Sequence, residues 1–476
     1  MAGSVGADGG RGGGTAAQAA QREQGLSLDA RPATIWAWGT PPGRGAIAVL
    51  RISGPASASV VRHLTGRPPP EPRRAQLRTL RDPRSGETID RALLLWFPGP
   101  ASYTGEDSLE IHHHGGPAIA AALAAALREL PDTRPAEPGE FTRRAFLNGK
   151  LDLAQAEAID DLVSASARAQ LRQALEQARG TLGRRCAAWR AALLDALALL
   201  EAELDFAGEE GDVGAGRLEE ARPGLLRVRS EMAAALAEAA VGERLREGLT
   251  VAVIGPPNAG KSSLVNRLAG REAAIVTPYP GTTRDVIEVA LELDGMPVTI
   301  VDTAGLRETA DPVEAIGIAR AKERAERADL ALLVLDATAA PSSAEGFPGR
   351  EGDRLVVVNK VDAAAAPAWV EGRPDALAIS CRTGLGFDRL LERLAAMARE
   401  RLAGGESALI TRERHRAELA EARGALDRLL AAPPGTELVL LAEELRLAVA
   451  ALDRLTGRAG VDAVLDRIFA RFCIGK

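Results

Sequence analysis

Gly255-Pro-Pro-Asn-Ala-Gly-Lys-Ser262, with Ser263 after it, has the GxxxxGK[ST] spacing of a loop that wraps a polyphosphate. The apolar β-type run Leu249–Ile254 precedes it and a helical pattern (Leu264, Val265, Leu268) follows, which is the context such a loop needs. Glycines, including Gly260, let the backbone of Asn258 and Ala259 approach phosphate oxygens. Successive N–H groups and a helix N-terminus supply the positive field. Lys261 is expected to reach the outer phosphates and Ser262 to ligate Mg²⁺.

Four further motifs sit at strand ends, where open α/β sheets place ligands. Asp302-Thr303-Ala304-Gly305 offers a carboxylate that holds Mg²⁺ through water and an N–H that senses a terminal phosphate. Gly281-Thr282-Thr283 supplies Thr283 as a second hydroxyl on Mg²⁺. Asn359-Lys360-Val-Asp362 presents a carboxylate that accepts both donors on a guanine edge, whereas adenine offers the wrong pattern. Ser380-Cys381-Arg382 adds backbone N–H groups for the base oxygen. Together these specify GTP as substrate.

Hydrolysis departs from the small-GTPase pattern, in which a glutamine soon after DxxG orients the attacking water. Leu306 stands there and has no polar group. Glu308 and Glu314 are the nearest carboxylates, and no arginine finger is assigned from sequence. A monovalent cation could supply the missing positive charge, with Asn258 as a ligand.

The elements that must position these groups alternate: apolar runs at 249–255, 297–302, 329–335, 354–359 and 375–380 with helical segments between them. That order predicts a parallel sheet covered on both sides. Around this insert, at 247–400, the chain is Ala/Leu/Glu/Arg-rich and helically periodic in two stretches, 149–246 and 401–476. The simplest account is one helical domain interrupted by the nucleotide-binding domain. A break at Phe206–Asp212 divides the first helical stretch. Residues 31–148 read as a small α+β domain, with strands at Thr34–Trp38, Ala46–Ile52, Arg91–Phe97 and Leu109–His113 and a helix over Pro117–Leu130. Residues 1–30 are Gly/Ala-rich and read as a disordered tail.

With 46% hydrophobic residues and net charge −6, the chain is of globular composition, and no apolar run approaches a membrane span. Three scattered cysteines (Cys186, Cys381, Cys473) suit a reducing compartment, so cytoplasm is expected. A mitochondrial presequence fits less well, because the tail carries Asp8 and Glu23. Of 59 basic residues only five are lysine, at 150, 261, 322, 360 and 476. A surviving lysine is expected where arginine's planar fork does not replace a compact ammonium. Lys261 and Lys360 fall in nucleotide motifs, which leaves Lys150 and Lys476 to be explained. His112, His113 and His114 invite a metal reading, but strand neighbours point to opposite faces, so a polar strand end is expected.

The motifs and their order resemble the TrmE–Era group of GTPases, and the flanking sequence narrows the resemblance to the MnmE (TrmE) tRNA-modification GTPases. Its marks are Thr40-Pro-Pro-Gly-Arg-Gly45, Leu50-Arg-Ile-Ser-Gly54, Tyr103-Thr-Gly-Glu-Asp107, His114-Gly-Gly-Pro117, Pro138-Gly-Glu-Phe141, Leu147–Glu157 and Phe472-Cys-Ile-Gly-Lys476. The resemblance implies a homodimer whose N-terminal domain binds a tetrahydrofolate derivative (5-formyl- or methylene-tetrahydrofolate) through Arg51, Glu110, Lys150 and Lys476. It implies potassium at Asn258, with Thr277, Tyr279 and Thr282 lining the same loop. It assigns the water-positioning carboxylate to Glu314 and puts Cys473 near the folate. It further implies an FAD-dependent partner of the MnmG type, in a heterotetramer, acting on carbon 5 of the wobble uridine of certain tRNAs. Tyr279-Pro280 replaces the commoner Ile-Ala of the family. The competing reading is a ribosome-assembly GTPase switch of the Era group; a folate sensor with no direct part in the chemistry is a third.

Overall fold

A computed structural model describes residues 33–206, 216–270, 274–275, 288–302, 328–339, 353–371, 373–460, 462–470 and 472–475. The chain divides into two compact units, Met1–Lys150 with Cys473–Lys476, and Leu151–Phe472.

The first unit is built on a six-stranded sheet. Its strands are β1 (Thr34–Trp38), β2 (Gly45–Ser53), β3 (Gln76–Arg81), β4 (Thr88–Phe97), β5 (Ser108–Gly115) and β6 (Thr133–Pro135), ordered β3-β4-β5-β2-β1-β6. All neighbours are antiparallel except β1 and β6. Alternate residues Leu50, Ile52, Leu94, Trp96, Leu109 and Ile111 point into one core. Helices Ser57–Thr65 and Pro117–Arg128 pack on it through Val60, Val61, Leu64, Leu123 and Leu127. Residues 473–475 belong to this unit: the Gly139 N–H donates to the Cys473 carbonyl at 3.4 Å. Gly475 has φ +99°, and a Cβ there would lie 2.3 Å from the Trp38 carbonyl oxygen, so only glycine fits.

In the second unit, helices Thr181–Phe206, Gly216–Glu247, Glu413–Leu430 and Leu438–Thr456 share one core that includes Trp189, Leu193, Met232, Leu419, Leu426, Leu445 and Leu452. Two stretches far apart in sequence therefore close a single helical bundle, as the periodicity predicted. Residues 207–212 of the predicted break lie outside the described residues.

Between them runs a seven-stranded sheet of β7 (Leu249–Ile254), β8 (Ala274–Ile275), β9 (Glu288–Leu293), β10 (Met296–Asp302), β11 (Leu330–Asp336), β12 (Arg354–Asn359) and β13 (Ala376–Ala378). The order is β13-β12-β11-β7-β10-β9-β8. The five predicted strands, β7, β10, β11, β12 and β13, are parallel as expected; the sheet goes on through two strands that were not predicted, β9 antiparallel to β10 and β8 antiparallel to β9. The cause is local. Asp294 and Gly295 take φ +50° and +83°, the left-handed pair of a two-residue hairpin turn.

The insert is tied to the bundle by helix Arg168–Ala178. The buried Gln173 amide donates to the carbonyls of Gly242 (2.9 Å) and Gly405 (2.7 Å), one on each chain crossing. Gln170 donates to Arg246 O at 2.9 Å, and Gln177 to Leu409 O at 3.1 Å.

Helix Leu153–Ser164 opens on a capping box between Asp152 and Gln155 and carries the buried Glu157. Glu157 Oε2 is met by Arg414 Nη2 at 2.8 Å and by His415 Nε2 at 2.7 Å, while Arg414 Nη1 also donates to the carbonyls of Arg454 and Leu455. Burial opposes ionisation of Glu157, but His415 and Arg414 outweigh it and hold the carboxyl well below its usual range. Burial pushes the His415 imidazole down, against the pull of Glu157. Both groups bind protons more readily in the unfolded chain. Their contribution is therefore present above the ordinary values of 6.5 and 4.5 and is lost as pH falls through and below them. Glu157→Ala is expected to cost about 3–5 kcal/mol by leaving Arg414 buried and unpaired. Urea unfolding of the full chain from neutral pH downward checks both: the wild type weakens on acidification, and the variant starts lower with a shallower slope.

Candidate functional site

The phosphate loop joins β7 to helix Lys261–Ala269, with Asn258 at φ +62° and Gly260 at φ +95°. Two left-handed residues coil the backbone so that the helix N-terminus faces the loop. Lys261 Nζ lies on the loop's own carbonyls, 3.0 Å from Gly255 O and 2.9 Å from Pro256 O. A polyphosphate offers this ammonium a stronger, charged acceptor in the same cradle.

The Ser262 hydroxyl donates to Asp302 Oδ2 at 3.0 Å. β10 ends at Asp302 beside β7, so the parallel register 302↔253 brings the carboxylate to the first turn of the helix. A hydroxyl and a carboxylate this close are hard oxygen donors of the kind Mg²⁺ takes, one directly and one through water. These residues fit the ion. Ser263 is exposed in the same turn. The remaining residues predicted for phosphate, magnesium, potassium and water lie outside the described residues. They are Thr277, Tyr279, Gly281, Thr282, Thr283, Thr303, Ala304, Gly305 and Glu314.

The residues predicted for base recognition meet on the ends of β12 and β13. The buried Asn359 amide donates to Ala259 O at 2.9 Å, and its Oδ1 accepts from Cys381 N at 3.0 Å. One side chain thus ties the phosphate loop to the 380–382 turn. Lys360, at φ +67°, reaches Asp336 Oδ2 at 2.6 Å. That hydrogen bond holds the Asp336 carboxyl below its usual value. Ser380 donates to Asp362 Oδ1 at 2.6 Å and lowers the Asp362 carboxyl, with Arg382 adding to the effect from 2.5 Å on Oδ2. Each carboxylate oxygen has two lone pairs, so a guanine edge could take the place of the exposed Arg382 while Ser380 stays. Such an exposed pair is worth only about 0–1 kcal/mol, a small obstacle to base binding. The Cys381 thiol is pushed up to about 11 by burial and stays protonated.

The first unit holds a second site. A cavity of about 390 Å³ is lined by Arg51, Glu110 and Lys150 together with Arg73, Phe97 and Tyr103. Arg51 on β2 and Glu110 on β5 are cross-strand partners, joined at 3.1 Å. The Arg51 guanidinium also lies 5.7 Å from the Tyr103 ring centre. Lys150 Nζ donates to Pro100 O at 3.0 Å. Three of the four residues predicted for folate therefore share one cavity; Lys476 lies outside the described residues, and Cys473 is exposed. Arg73 and Phe97 were not read as site residues. Their ring contact at 5.6 Å pairs positions far apart in sequence, and only the aromatic end of β4 hinted at it.

The histidines alternate as a strand requires. His112 faces Glu110 at 3.3 Å, the buried His113 accepts from Trp38 Nε1 at 3.1 Å, and His114 pairs with Asp90 at 2.8 Å.

Comparison with known proteins covers both units. Residues 34–150 match the family described as GTP-binding protein TrmE N-terminus, and residues 153–473 match the MnmE helical domain. The tRNA modification GTPase MnmE of Methylobacterium sp. (strain 4-46) is 53% identical over 447 residues, 93% of this chain and 99% of that one. The protein of the same description from Paramagnetospirillum magneticum is 51% identical over 93% of this chain and 99% of its own. That from Parvibaculum lavamentivorans is 50% identical over 93% and 100%. Likeness of this order along the full length of each relative means that the chain belongs to the MnmE family of tRNA modification GTPases.

Proposed function

We propose that this GTPase is stimulated by potassium and acts, with an FAD-dependent partner of the MnmG type, on carbon 5 of the wobble uridine of certain tRNAs, drawing a one-carbon unit from a tetrahydrofolate derivative. The observation that carries the reading is the cavity that brings Arg51, Glu110 and Lys150 together. A reduced pterin carries adjacent N–H and NH₂ donors, which one carboxylate accepts side by side, and its glutamate tail is anionic. Glu110 suits the first, and Lys150 and Arg51 suit the second. Tyr103 and Phe97 offer flat apolar surface to the rings. When bound, the folate would supply the one-carbon unit; the protein residues bind and orient it.

For the nucleotide we assign Lys261, Ser262, Ser263, Gly260 and Ala259 to the phosphates, Ser262 and Thr283 to Mg²⁺, and Asn359, Lys360, Asp362 and the 380–382 turn to guanine. Glu314 is the proposed water-positioning carboxylate. Asn258, exposed on the loop in a left-handed conformation, is the proposed potassium ligand, with Thr277, Tyr279 and Thr282. The working assembly is a homodimer joined by the partner in a heterotetramer, in the cytoplasm. No described helix is long and apolar enough to cross a membrane.

Nucleoside analysis of tRNA from cells lacking this protein is expected to show wobble uridines without their carbon-5 substituent; unaltered uridines would remove the proposal. Replacing sodium by potassium is expected to raise GTP turnover about tenfold or more, ~1.4 kcal/mol of barrier or more. Asn258→Ala should erase that difference, and Glu314→Ala should keep nucleotide affinity while losing turnover. Arg51→Ala is expected to weaken binding of 5-formyl-tetrahydrofolate by roughly tenfold to a hundredfold, the loss of one charged hydrogen-bonding partner. Titration calorimetry reads this directly, and an unchanged affinity would move the folate elsewhere.

A further inference from the structure

Arg267 lies on the phosphate-loop helix but outside every nucleotide motif, and its side chain crosses to the base-recognition turn. Nη1 donates to Cys381 O at 2.8 Å and to Arg382 O at 3.3 Å. The guanidinium also lies over the Phe387 ring, 5.1 Å from its centre, where the next helix begins. A Cβ on Gly384, at φ +90°, would fall 2.2 Å from Nη2, so the turn leaves room for this arginine.

The peptide group explains what this contact does. A trans peptide is planar, with its C=O and N–H pointing in opposite directions. Holding Cys381 O toward Arg267 therefore turns the Arg382 N–H away from it. In the same turn, Cys381 N is taken by Asn359 Oδ1 at 3.0 Å and Thr383 N by Ser380 Oγ at 3.1 Å. Among the described residues, the Arg382 N–H is left as the donor of this turn with no hydrogen bond to protein.

We propose that Arg267 is a positioning residue for guanine: by pinning the carbonyls of Cys381 and Arg382 it aims the Arg382 N–H at the base oxygen. It links this end of the base pocket to the phosphate-loop helix, so that affinity for the base draws on both. The inference rests on the assignment of Asp362 and the 380–382 turn to guanine.

The test uses the full chain and titration calorimetry with GDP and with inorganic tripolyphosphate, which touches only the phosphate loop. Arg267→Met keeps an apolar stem against Phe387 and removes the donors. It is expected to weaken GDP about tenfold, ~1.4 kcal/mol, and to leave tripolyphosphate unchanged. Arg267→Lys, with a compact ammonium in place of the fork, should fall between the variant and the wild type. GDP affinity unchanged in Arg267→Met, or GDP and tripolyphosphate weakened equally, overturns the proposal. Asp362→Asn separates the two levels, because an amide matches the acceptor at carbon 2 of xanthine and no longer takes both guanine donors. A chain with Asp362→Asn that still binds GDP as before removes the base assignment and this inference together. One that turns to xanthosine diphosphate, while Arg267→Met has no effect, removes Arg267 alone.

Discussion

A domain inserted into a helical bundle must send the chain out and bring it back at nearly the same place. Here the chain leaves along helix Gly216–Glu247 and returns after helix Phe387–Leu402. The two crossings are held by backbone carbonyls, which a helical bundle does not normally satisfy from the side. Gln173 bridges them with a single amide, and Gln170 and Gln177 extend the seam in both directions. Buried carbonyls left without such donors would cost about 1–3 kcal/mol each, so the helix that carries these glutamines fixes where the sheet starts. The same helix meets the β9–β10 turn, with Ala169 N on Gly295 O at 2.9 Å and Arg168 on Glu292 at 2.8 Å. The antiparallel edge of the nucleotide-binding sheet therefore has a task in docking.

The nucleotide site repeats this economy at smaller scale. Its loops come from separate strands, and among the described residues several side chains tie them together. Asn359 connects the phosphate loop to the 380–382 turn, Ser262 connects it to Asp302, and Ser380 braces Asp362. The Asp362 oxygen that a guanine edge would use is held by the exposed Arg382, so base binding there would exchange one partner for another.

Much of this was legible in the sequence, and the reasons for the rest are specific. Strands β1, β2, β4 and β5 announce themselves by β-branched and aromatic residues, whereas β3, Gln-Leu-Arg-Thr-Leu-Arg, looks polar because half of it faces water. The antiparallel edge strands β9 and β8 went unread because Asp294-Gly295 was not taken as a hairpin turn, although that dipeptide is a strong signal for one. Loop motifs pointed to the nucleotide residues by spacing alone. Contacts that join distant segments, such as Arg73 with Phe97 or Arg267 with Cys381, leave no periodic trace. The glutamine seam is equally silent, since each glutamine reads simply as a helix former.

Residues 473–475 pack in the first unit, with Gly475 against the Trp38 backbone, although the whole helical and nucleotide-binding segment is translated between them. The order of synthesis thus runs against the order of assembly. The six-stranded sheet has all its strands early and still waits for a piece made after the helical and nucleotide-binding segments. During translation the Trp38 backbone stays without Gly475 beside it until the intervening segments have been made. A nonsense or frameshift lesion near codon 473 would therefore register as a defect of the first unit, far along the coding sequence from the strands it disturbs.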